Sequence, residues 1–150
     1  MAEIWFYHLE RRPLEAVLPL LLERSLARGW SAVVQAASDR RLEEIDALLW
    51  TYAEESFLAH ARAGDGEAAR QPVYLTLGSE TPNKAQVRFC VEGADPLAAA
   101  QDHERVVVLF DGRDPDALAL ARRQWAALKG APHARTYWQM SENGRWERKA

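Results

Sequence analysis

The chain has 150 residues, with 48% hydrophobic and 27% charged side chains, a mixture that excludes a disordered chain and suits one compact domain with its own core. Twenty-two acidic against 19 basic side chains give a net charge of -3, which argues against a surface that grips nucleic acid phosphates throughout. The lone Cys90 rules out an intrachain disulfide and a cysteine zinc site, and no apolar run approaches bilayer length.

Ile4–Leu9 is short, aromatic-rich and bounded by charge, which predicts a strand. Pro13 opens a helix to about Arg28, with Leu14, Val17, Leu18, Leu21, Leu22 and Leu26 at helical spacing. Pro19 inside it predicts a kink or a late start, and Gly29 ends it. Ser31–Ala37 is a run of small and β-branched residues suited to a buried parallel strand. Ser38-Asp39 caps a helix from Arg40 to about Trp50, with Leu42, Ile45 and Leu49 facing inward.

Thr51–Gln71 shows no clear period and contains Gly64-Asp65-Gly66, which predicts a long loop or lid. Strands follow at Val73–Leu77, Gln86–Val91 and Arg105–Phe110. Cys90 falls in the second of these and reads as a small buried hydrophobe. Asp114 caps a third helix, with Pro115 at its first position, running to about Lys129 before Gly130. Ala134–Met140 and Arg145–Lys149 flank Asn143-Gly144, a hairpin signal. The order predicts one α/β domain over residues 1–150, a Rossmann-like sheet that is mostly parallel with an antiparallel edge and helices on both faces.

Such a sheet raises the possibility of a nucleotide-dependent enzyme. The turn after the first strand reads Leu9-Glu10-Arg11-Arg12-Pro13, without the glycines that let a backbone approach phosphates. None of His8, His60, His103 and His133 lies three or four residues from another, so no metal pair is visible, and no serine sits in a nucleophile elbow. The sequence thus implies no cofactor, no metal and no catalytic residues; a nucleotide-dependent enzyme is the alternative reading. Direct single-stranded DNA binding through Trp and Arg is a further rival, opposed by the acidic balance.

Two segments are rich in recognition chemistry. Leu48–His60 places Trp50, Tyr52, Phe57 and Leu58 at a helix end and in the following loop, where aromatics serve as anchors. Leu118–Lys129 carries an apolar stripe at Leu118, Ala121, Trp125 and Leu128. Arg122 borders it, and Lys129 follows on the same side after seven residues. A planar guanidinium beside apolar surface suits a carboxylate attached to a bulky side chain, such as a chain terminus. An ordinary amphipathic helix with solvated cations would show the same spacing.

These segments resemble the DNA polymerase III chi subunit family. The resemblance rests on Trp5-Phe6-Tyr7-His8-Leu9, Asp46–Trp50 leading to Glu55-Ser56-Phe57-Leu58-Ala59-His60, and Pro72–Thr76. It extends to Phe110-Asp111-Gly112, Ala121–Trp125 and the two ends of the hairpin. It implies a cytoplasmic, non-catalytic accessory subunit of the replicative polymerase. Such a subunit would bind the acidic, phenylalanine-ended C-terminal tail of single-stranded DNA-binding protein, and the psi subunit or the clamp loader. On this resemblance Arg122 receives the terminal carboxylate. Trp50, Phe57 and Trp125 surround it, and Arg123, Lys129 or Arg40-Arg41 meet the upstream acids. Some members carry a lysine where Ala126 stands here.

Overall fold

The structure, a computed structural model, describes residues 2–51, 60–66, 68–97 and 99–150. In chain order its elements are β1 (Glu3–Leu9), α1 (Leu14–Ala27), β2 (Ala32–Gln35), α2 (Asp39–Thr51), β3 (His60–Arg62), β4 (Val73–Thr76), β5 (Val87–Val91), β6 (Arg105–Asp111), α3 (Pro115–Ala127), β7 (Ala134–Met140) and β8 (Trp146–Arg148). One-turn 3-10 segments precede β4 and β6.

The strands form a single sheet in the order β3-β4-β2-β5-β6-β1-β7-β8. Every pairing is parallel except β7 with β8, where the Asn143-Gly144 hairpin sets Trp138 opposite Arg148. Gly144 takes φ +77, the left-handed conformation such a turn needs. The α/β class, the parallel core and the antiparallel edge follow the sequence reading.

Strand alternation sorts the core into two layers. Tyr7, Leu9, Val34, Leu75, Phe89, Val107 and Leu109 face one way and pack with α1 and α2. Ile4, Phe6, Cys90, Val106, Val108 and Phe110 face the other way and pack with α3. Helix α3 covers only half of that second face. Over β2 the chain between β4 and β5 takes its place, with Val33, Tyr74 and Ala85 beneath it.

That crossover is held by Arg88, which is wholly buried in β5. Its Nε donates to His103 Nε2 at 3.1 Å, and its terminal nitrogens donate to Gln35, to Thr81 Oγ1 and to the carbonyls of Gly78, Ser79 and Glu80. A buried arginine costs a great deal unless its donors are satisfied, and here they tie a loop down where, among the described residues, no helix lies.

Two expectations change. The stretch read as a loop or lid contains β3, a parallel edge strand pairing His60 with Val73, and the 3-10 turn Ala68–Arg70. Three residues are too few to show a period of two. Helix α1 starts at Leu14 and continues through Pro19 instead of starting late. Proline's missing N–H leaves only the Glu15 carbonyl unpaired, in an exposed first turn.

Candidate functional site

Helix α3 opens on Asp114, whose side chain accepts from the Asp116 N–H at 3.0 Å, with Pro115 next. Ala121 and Leu128 are buried against β1 and β6, flanked by Leu118 and Trp125. The Trp125 ring meets Phe6 edge-on at 5.4 Å and Tyr137 at 5.9 Å. On one flank Gln124 donates to the Ala94 carbonyl at 3.4 Å, past the end of β5. At about 100° per residue, Arg122 takes the opposite flank, toward β7, while Arg123 points away from the buried stripe; Lys129 follows the helix end.

Arg122, Arg123 and Lys129 are all exposed. Among the described residues Arg122 makes no ion pair, so its fork is available to an incoming anion. The surface beside it is aromatic and partly buried: Trp125 and, from β7, Tyr137. Burial pushes the Tyr137 phenol up, and the Arg122 charge opposes that rise, which places the guanidinium within electrostatic reach of the ring.

Sequence reasoning missed Arg135 and Tyr137 as contributors and left the role of His8 open. Arg135, on β7, lies 4.4 Å over the Trp125 ring and donates to the Trp125 carbonyl. Tyr137 braces Trp125, and its hydroxyl is 2.5 Å from His8 Nδ1. His8 Nε2 in turn lies 2.8 Å from Glu10. The available signal was alternation along Ile4, Phe6 and His8, which puts a histidine at the end of an apolar face.

Trp50 does not join this surface. It stands 54% exposed at the end of α2, its ring 5.0 Å from that of His60 on β3. Helix α2 packs on the other face of the sheet, and β3 is four strand steps from β6, roughly 19 Å. The expectation of one groove holding both Trp50 and Arg122 is therefore corrected: sequence proximity to Phe57 said nothing about which face α2 would cover. Phe57 itself lies outside the described residues. Arg41 is also withdrawn as a contact for upstream acids, because it is bound to Glu15 and Glu44 at 2.8 Å each and near Glu92 at 3.5 Å.

Arg41 lines a crevice of about 520 Å³ at the carboxyl ends of β1 and β6, between the starts of α1 and α3. Doubly wound sheets take nucleotides at such a place. Here five carboxylates, among them Glu15, Glu92 and Asp111, outnumber three guanidiniums, a poor setting for phosphates. Among the described residues no three of His, Cys, Asp and Glu gather in a way that could hold a metal ion, and no helix is long and apolar enough to cross a membrane.

The family model described as "DNA polymerase III chi subunit, HolC" matches residues 1–136. A protein of Rickettsia prowazekii (strain Madrid E), named "Probable DNA polymerase III subunit chi", is 25% identical over 117 residues, covering 74% of this chain and 71% of that one. Among solved structures, the C-terminal domain of the DEAD-box protein Dbp5 superposes with a TM-score of 0.57 at 10% identity, covering 91% of this chain and 90% of that one. That last likeness is one of fold.

Proposed function

The chain belongs to the DNA polymerase III chi subunit family, and from that premise we propose that it works as a non-catalytic adaptor of the replicase whose α3–β7 surface binds the acidic C-terminal tail of single-stranded DNA-binding protein. The observation that carries this reading is an exposed Arg122, without an ion pair among the described residues, beside the aromatic surface of Trp125 and Tyr137. A terminal carboxylate would take the planar fork of Arg122 in two parallel hydrogen bonds. The last side chain of the tail would lie on the aromatic surface. Lys129, just past the end of α3, would meet upstream acids, with Arg123 further out. Ala126 offers no charge there.

For so short a peptide the expected affinity is micromolar, about -8 kcal/mol. The cations stand in solvent, so raising salt should weaken binding severalfold. The exposed Trp50 lies on the opposite face. A second partner, the psi subunit or the clamp loader that the family implies, could dock there while the tail stays bound.

Calorimetric titration of the protein with the tail peptide tests the reading. Arg122→Ala should lower affinity at least about tenfold while leaving the thermal midpoint unchanged, because an exposed bordering arginine contributes little to the core. An unaltered affinity in Arg122→Ala, or a flat response to salt, would contradict this site.

A further inference from the structure

Behind Arg122 lies a chain of hydrogen bonds centred on His8. The His8 ring is sheltered, with Nδ1 2.5 Å from the Tyr137 hydroxyl and Nε2 2.8 Å from Glu10 Oε1. The other Glu10 oxygen accepts from Gln139 Nε2 at 3.0 Å. The His8 hydrogen bond holds the Glu10 carboxyl below its ordinary range, so it is a carboxylate and can only accept. In the neutral ring Nε2 must then carry the hydrogen, and Nδ1 keeps its lone pair. Tyr137 donates inward to Nδ1, leaving only lone pairs for anything beside Arg122.

Protonation of His8 reverses this arrangement. Nδ1–H now donates to the Tyr137 oxygen, and the phenolic hydrogen is released to turn toward the Arg122 side. Burial keeps the phenol itself protonated. We propose that Tyr137 is a second donor to the carboxylate bound at Arg122, brought into play when His8 takes up a proton, so that acidic chain ends are held more tightly in mildly acidic solution. This rests on the tail-binding reading given above.

The groups facing His8 support a switch. Glu10 stands on its own strand, Tyr137 and Gln139 on β7, and the Phe110 ring and Gly112 close the β6 side without charge. From α3 the Arg122 charge acts through Tyr137. Of the nearby turn residues, Asp111 is engaged with Arg113 at 3.5 Å and Arg11 lies 4.0 Å from Glu142. The bound carboxylate adds a second anion, which ties proton uptake to binding. Affinity therefore rises as the solution becomes mildly acidic, where peptide carboxylates stay ionised.

The test is titration of the full chain with an acidic peptide bearing a free C-terminus, at about pH 8 and about pH 5.5 and fixed ionic strength. The wild type should bind about tenfold tighter at the lower pH, the low end of what one added hydrogen bond to a charged group contributes. Tyr137→Phe, which keeps the ring against Trp125, should lose most of that gain, and His8→Gln should abolish it. Should His8→Gln fail to fold, Tyr137→Phe alone decides. A wild type that binds equally at both pH values, or a Tyr137→Phe that keeps the whole gain, overturns the proposal and leaves the tail site standing. A wild type that binds at neither pH overturns both.

Discussion

His103 carries a proton question of its own, set by two hydrogen bonds. Its Nε2 accepts from Arg88 Nε, so its Nδ1–H must be what donates to the Ala85 carbonyl at 2.9 Å. Both roles are filled only in the neutral ring. Burial, with the Arg88 charge adding to it, holds its pKa below the ordinary 6.5. The unfolded chain therefore binds a proton that the folded chain refuses. The resulting stability is complete above about pH 6.5 and is lost as pH falls from there toward the lower folded value. Thermal midpoints should drop by several degrees between about pH 7.5 and 5, and the drop should shrink in His103→Gln. An equal drop in that variant would place the acid sensitivity elsewhere. Arg88→Met should cost about 3–5 kcal/mol in denaturant melts, since the Gly78, Ser79 and Glu80 carbonyls, the Thr81 hydroxyl and Gln35 lose their donor. Burial pushes the Cys90 thiol up to about 12, consistent with the small buried hydrophobe its apolar neighbours predicted.

Among the elements, α3 was the most legible. Asp114-Pro115 marked its start, Gly130 its stop, and the stripe through Ala121 and Leu128 its buried face. Arg122 could be placed beside that stripe from spacing alone. What spacing could not supply was the neighbouring strand. Arg135 and Tyr137 belong to β7, and their contact with α3 depends on the helix crossing from β6 over β1 to reach β7. Strand β3 was missed because three residues carry no period, and Pro19 was overread because its lost bond falls in an exposed turn. The turn between β6 and α3 also holds a constraint that no pattern reveals. A Cβ on Gly112 would lie 1.9 Å from His8 Nε2, and that ring is fixed on both sides by Tyr137 and Glu10. Gly112→Ala should displace His8 and cost about 1–3 kcal/mol, read as a lowered midpoint in denaturant. An unchanged midpoint would mean that the turn yields freely.

For the molecule as a whole, the sheet separates two surfaces that adjoining motifs had suggested were one. Helix α2 with Trp50 covers one face near the β3 edge, while α3 with Arg122 covers the other face over β6. Trp50→Ala should therefore leave tail-peptide affinity within about twofold of wild type, since sites this far apart act independently. A large loss would mean that the peptide reaches round the sheet edge. The central claim is that Arg122 meets a terminal carboxylate, and a cycle of four titrations tests it most directly: wild type and Arg122→Ala, each with the tail peptide as free acid and as C-terminal amide. Amidation should weaken wild-type binding about tenfold or more and change Arg122→Ala little, because the two changes remove the same contact. Equal losses on amidation in both proteins would contradict the claim.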